Sequence, residues 1–85
     1  MNWDLLVDPI ARKFLKRIPR KQAEKIGAVI DGLVSDPYFG DIEKMSGEDD
    51  TWRRRVGPCR IFYKIFSTQN LVFVFNIKRR TSSTY

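Results

Sequence analysis

The stretch that decides the fold is Trp52–Tyr63, WRRRVGPCRIFY. It reads as a β-hairpin: two strand-like runs flank Gly57-Pro58. A two-residue loop opening with Gly suits a type II′ turn, in which Gly takes the positive φ and Pro supplies the negative φ after it. This turn pairs Val56 with Cys59, Arg55 with Arg60, Arg54 with Ile61, Arg53 with Phe62 and Trp52 with Tyr63. Alternation then places Trp52, Val56, Cys59, Ile61 and Tyr63 on one face, with Arg54 the odd member, and Arg53, Arg55 and Arg60 on the other. Arg55 directly across from Arg60 is a destabilising pair unless something anionic neutralises it. The polar face is either simply solvated or an anion-binding surface.

Downstream, the second strand extends to about Phe66, and Ser67–Asn70 is a turn. Leu71–Lys78 (LVFVFNIK) is nearly all apolar, the pattern of a central strand buried on both faces. Lys78, Arg79 and Arg80 close it, followed by Thr81–Tyr85. Upstream, Ser46–Thr51 is a polar, acidic loop and Ile42–Met45 a short strand. Asp36–Gly40 is a connection rich in turn residues.

Further upstream the period changes. Asn2–Val7 alternates weakly, with Trp3, Leu5 and Val7 on one side, and reads as a first strand. Asp8-Pro9 starts a helix, with Asp as N-cap and Pro at the first helical position. Ile10, Phe14 and Ile18 repeat at four-residue spacing beside Ala11 and Leu15, a core stripe opposite Arg12, Lys13, Lys16 and Arg17. Pro19 breaks this helix and opens a second, Arg20–Val34, striped by Ala23, Ile26, Ile30, Leu33 and Val34. The expected fold is α+β: an N-terminal strand, a helical hairpin, then three to four antiparallel strands forming one sheet, with the helices on one face. Arg53, Arg55 and Arg60 belong on the opposite face.

Composition narrows the function. Eighty-five residues make one domain with a core just sufficient to fold unaided. Sixteen Lys and Arg against ten Asp and Glu give a net charge of +6, which points to an anionic partner such as nucleic acid or an acidic protein. One Cys and no His exclude an internal disulfide framework, the usual zinc constellations and His-based catalysis. No apolar run approaches membrane-spanning length, and MNWDLLVD is not a signal peptide. The default location is the cytoplasm, with no membrane partner and no cofactor.

In the order and spacing of its elements the chain resembles the RelE toxins of toxin–antitoxin systems, within the wider RelE/ParE superfamily. The resemblance covers essentially the whole sequence. It rests on the "DP" entering the first helix, the "DP" after the second, the "EKMSG" approach, the hairpin "WRRRVGPCRIFY" and the ending "KRRTSSTY". It implies an mRNA endonuclease of the ribosomal A site, cleaving without metal by attack of the ribose 2′-OH on the adjacent phosphate, with a cognate antitoxin, the ribosome and mRNA as partners. By the same resemblance Arg60, Arg79 and Tyr85 are the catalytic positions. Lys44, Arg53, Arg55 and Arg80 are substrate-binding positions. The sequence departs from the family pattern at Cys59, where Tyr is usual, and at Arg54, where an apolar residue is usual.

The chemistry agrees with those residue types. Cleavage by the 2′-OH needs a base, charge stabilisation at the phosphorane and a proton for the leaving 5′-oxygen. Arg clamps phosphate well but is a poor acid, so Arg60 reads as the transition-state stabiliser and Arg79 as a proton donor or second clamp. Tyr85 serves as base if neighbouring arginines lower its pKa from about 10. Phe62 is the candidate for stacking on a base, whereas Trp52 falls on the core side. Cys59 reads as a small buried residue, not a nucleophile. Two other functions stay open: a ParE-like inhibitor of DNA gyrase, and a non-catalytic nucleic-acid-binding module.

Overall fold

The computed structural model describes residues 3–45, 47 and 50–80. The elements run β1 (Asp4–Val7), α1 (Pro9–Arg17), α2 (Arg20–Leu33), β2 (Ile42–Lys44), β3 (Thr51–Val56), β4 (Cys59–Phe66), a 3-10 turn (Ser67–Gln69) and β5 (Leu71–Arg79). All five strands form one sheet in the order β1-β5-β4-β3-β2. β2 to β5 are mutually antiparallel, while β1 lies parallel to β5 at the edge. The α+β fold expected from the sequence is therefore present, with four strands after the helices and a mixed sheet.

Local chemistry explains the boundaries. The Asp8 carboxylate accepts from the Ile10 N–H (2.9 Å), capping α1 just ahead of Pro9. Pro19, with no N–H to donate, separates the two helices. Gly57 adopts φ +56° at the hairpin tip, the positive value its turn requires. All the cross-strand pairs from Trp52↔Tyr63 to Val56↔Cys59 hold.

The core lies between the helices and one face of the sheet. Ala11, Ile26, Ile30 and Leu33 pack against Cys59, Ile61, Tyr63, Ile65, Val72, Val74 and Ile77. The Tyr63 hydroxyl donates to the buried Pro37 carbonyl, so the largest core side chain also fastens the connection after α2.

Two expectations need correction. Ile10 does not join the core stripe: it is 60 % exposed, and the fully buried residue of α1 is Ala11. The helix is rotated so that its smallest apolar residue meets the sheet, which permits close approach, while Phe14 and Leu15 flank the contact. Nor is β5 buried on both faces. Val72, Val74 and Ile77 are buried, but Leu71, Phe73 and Phe75 are only partly covered, because both helices sit on the other side of the sheet.

Arg54, the polar intruder on the core side, reaches sideways instead of inward. Its guanidinium donates to the Phe39 carbonyl (2.8 Å) and lies 5.8 Å from the centre of the Phe39 ring. It rests against Gly40, whose φ is +93° and where a Cβ would stand 2.3 Å from the Arg54 Cζ. Glycine is thus needed there both for its backbone angle and for the space.

Candidate nucleic-acid interface

The sheet face away from the helices is the candidate site. Strand alternation and the observed register bring a row of cations across three adjacent strands: Arg55 on β3 opposite Arg60 on β4, and Arg60 opposite Lys78 on β5. The next row holds Arg53 opposite Phe62, and Phe62 opposite Asn76. Neighbouring strands are about 4.8 Å apart, so the cation row spans roughly 10 Å. Arg80 joins it at the hairpin end, where its N–H donates to the Pro58 carbonyl (2.7 Å). Arg55, Arg60 and Arg80 line a small recess beside Gly57 and Pro58.

The site carries its own counter-ions on β2 and the residue before it. Glu43 stands across from Arg53 and accepts from its Nε (3.0 Å) and its Nη2. Asp41 approaches the Arg55 Nε at 3.8 Å, and its carbonyl accepts from the Arg55 N–H (3.0 Å). The Arg53 hydrogen bond and charge hold the Glu43 carboxyl below its ordinary pKa, with Arg55 and Arg60 adding to the effect. Glu43 is therefore an anion at neutral pH, facing the arginine cluster. Among the described residues no carboxylate lies within ion-pairing distance of Arg60 or Lys78.

Aromatic surface continues the basic one. Phe62 lies 6.3 Å from Phe75, which lies 6.4 Å from Phe73. The ammonium of Lys78 stands 5.6 Å from the Phe62 ring centre, and that of Lys64 5.9 Å from Phe75. Cations over half-covered rings form a surface suited to unstacked bases and phosphates.

The residues singled out in the sequence divide as follows. Arg53, Arg55, Arg60, Phe62 and Arg80 come together on the open face. Lys44 pairs with Trp52 and so lies on the helix side of the sheet edge. Arg79 pairs with Cys59, also on the helix side, where its charge opposes the rise in the Cys59 thiol pKa caused by burial. Tyr85 lies outside the described residues. Glu43, Asp41 and Lys78 were not among the sequence candidates. Their clue lay in pairing partners beyond the hairpin: Glu43 opposite Arg53 and Lys78 opposite Arg60.

The fold is a two-layer α+β domain whose basic and aromatic sheet face is left uncovered by the helices. The family described as the ParE toxin of the type II toxin–antitoxin system parDE matches residues 4–83, and the chain belongs to that family, as a RelE-like toxin of the RelE/ParE superfamily. It is 25% identical over 83 residues to the putative toxin RelE1 of Methanocaldococcus jannaschii, covering 94% of this chain and 92% of that protein. Its fold is similar to the archaeal RelE–RelB complex of Pyrococcus horikoshii OT3, with a TM-score of 0.84 at 20% identity, covering 98% of this chain and 100% of the other. The isolated RelE toxin of E. coli matches with a TM-score of 0.81 at 18% identity, covering 96% of this chain and 88% of that one. No helix among the described residues is long and apolar enough to cross a membrane.

Proposed function

We propose that this toxin is a ribosome-dependent mRNA endonuclease, cutting in the A site by metal-free attack of a ribose 2′-OH on the adjacent phosphate. The observation that carries the reading is the convergence of Arg53, Arg55, Arg60 and Arg80 with Phe62 on one uncovered face. Arg60 stabilises the charge that builds on the phosphorane oxygens, since a guanidinium offers fixed donors to a phosphate and retains its proton. Arg53, Arg55 and Arg80 hold the strand, and Phe62 seats a flanking base. Tyr85 takes the 2′-OH proton as the 2′-oxygen bonds to phosphorus, the P–O5′ bond breaks, and solvent water protonates the leaving 5′-oxygen. With no His in the chain, near-attack geometry is supplied by the ribosome, which holds the codon in place.

The partner in this reading is a cognate antitoxin of acidic or amphipathic character, matched to the net charge of +6. RelE–RelB complexes among the similar folds support it.

A second reading, inhibition of DNA gyrase, is favoured by the matched family, which bears the ParE name. One experiment separates the two: induce the chain in cells, map mRNA 5′-ends, and assay gyrase supercoiling in parallel with purified protein. New 5′-ends within codons, absent on naked RNA and accompanied by unaffected supercoiling, are expected. Inhibited supercoiling without new ends overturns the nuclease reading.

A further inference from the structure

The geometry points to Lys78, and not Arg79, as the second cation on the scissile phosphate, beside Arg60. This rests on the nuclease reading and names a ligand for its substrate. The ground is a β-bulge. Pairing between β4 and β5 runs regularly from Phe66↔Leu71 to Tyr63↔Val74, then resumes at Phe62↔Asn76, leaving Phe75 as an extra residue. Val72 and Val74 face the core. Unbroken alternation from them would send Lys78 to the core side and Arg79 to the open face. The extra residue reverses this, because a one-residue slip exchanges the faces of everything beyond it. Ile77 becomes buried, Lys78 stands opposite Arg60, and Arg79 stands opposite buried Cys59.

Three further observations converge on Lys78. It completes the row Arg55, Arg60, Lys78, a line of like charges that a sheet does not favour without an anion. Neither Arg60 nor Lys78 has a carboxylate within ion-pairing distance among the described residues, whereas Arg53 and Arg55 are engaged by Glu43 and Asp41. Among the described residues, Arg60 and Lys78 are thus adjacent cations of the row with no carboxylate drawn onto them, open to a phosphate. The Lys78 ammonium also stands 5.6 Å from the Phe62 ring centre. Lys78 therefore lies beside the aromatic side chain of the open face as well as opposite Arg60.

Three variants test this: Lys78→Ala, Arg79→Ala and the charge-keeping Lys78→Arg. Each is assayed for cleavage of mRNA on programmed ribosomes, and for binding to a single-stranded RNA oligonucleotide with 2′-deoxy sugars, which cannot be cut, across a salt series. Lys78 is exposed, and unchanged circular-dichroism melts control for folding. Lys78→Ala is expected to lower kcat/KM by about 10²-fold and the salt slope of binding by about one phosphate contact. Arg79→Ala should change either by less than about threefold, and Lys78→Arg should restore the salt slope. A fully active Lys78→Ala beside an inactive Arg79→Ala overturns the assignment. An unmodified protein that cleaves nothing on ribosomes sinks the nuclease reading instead, and the salt slopes still decide whether Lys78 holds a phosphate. If the unmodified protein also fails to bind the oligonucleotide, both fall.

Discussion

The Tyr63 hydroxyl donates a 2.9 Å hydrogen bond to the Pro37 carbonyl in the interior, joining the middle of β4 to the connection that leaves α2. Tyr63 is fully buried. Burial pushes its pKa up from 10.0 to about 12, against the smaller opposing effect of the Arg54 charge. The folded state thus keeps the proton where the unfolded chain would lose it. This contribution is fully present below pH 10 and is lost as pH rises towards about 12. At most ~3 kcal/mol disappears across that window, at 1.36 kcal/mol per pKa unit. Tyr63→Phe leaves the Pro37 carbonyl unpaired and should cost about 1–3 kcal/mol at pH 7. It should also flatten the alkaline limb of a plot of urea-unfolding free energy against pH. An alkaline limb unchanged by Tyr63→Phe assigns that limb to other groups.

Gly40 and Arg54 form a second coupled pair. Gly40→Ala introduces a side chain at φ +93°, in the space held by the Arg54 guanidinium. The backbone strain alone should cost about 1 kcal/mol, and Arg54 must also leave the Phe39 carbonyl. In an Arg54→Ala background only the strain remains. A double-mutant cycle by chemical denaturation should therefore show a coupling of about 0.5 kcal/mol or more. Strict additivity would mean that Arg54 yields to the methyl group without loss.

Arg60→Ala removes a side chain from the open face and leaves no core cavity. Stability should stay within about 0.5 kcal/mol of the parent, while cleavage on ribosomes falls about 10²–10³-fold. Circular-dichroism melting alongside a ribosome-cleavage assay measures both. A protein that unfolds on this substitution would make Arg60 a structural residue.

If the open face binds RNA, Glu43 competes with it for Arg53. Its folded-state pKa is lowered, so the ion pair stabilises the protein above the ordinary carboxylate pKa and is lost as pH falls through the folded value. Glu43→Gln should tighten binding of uncleavable single-stranded RNA by a few-fold at pH 7. Binding by the parent should tighten as pH falls and Glu43 takes up a proton, and that acid-side dependence should be absent in Glu43→Gln. Fluorescence anisotropy at several pH values measures this, and weaker binding by Glu43→Gln would show that Glu43 orients Arg53 for RNA instead of competing for it.

Cys59 is buried, and burial raises its thiol pKa. Both effects suppress the thiolate, which is the reactive form. Alkylation of the native protein by iodoacetamide should be slow, and should accelerate on denaturation to the rate of a free thiol. Fast native labelling, followed by mass spectrometry, would place the thiol at the surface.

Local patterns determined much of this protein. The hairpin register from Trp52 to Tyr63 is fixed by Gly57-Pro58, because only a turn with positive φ at Gly joins the strands in two residues. That register alone puts Arg53, Arg55 and Arg60 on one face and Cys59, Ile61 and Tyr63 on the other. Asp8-Pro9 and Pro19 bound the helices for equally local reasons. What the sequence by itself could not settle lies in pairings between distant segments. Lys44 and Glu43 differ by one residue, and only the β2–β3 register shows that Glu43 meets Arg53. The open side of β5 is apolar in sequence, and only the placement of both helices on one side leaves Phe73 and Phe75 partly uncovered. The choice between Lys78 and Arg79 turns on a single bulge at Phe75. A bulge arises from the competition between two strands for a common register and has no signature in either strand alone. That extra residue carries Lys78 to the arginine row and sends Arg79 to the helix side.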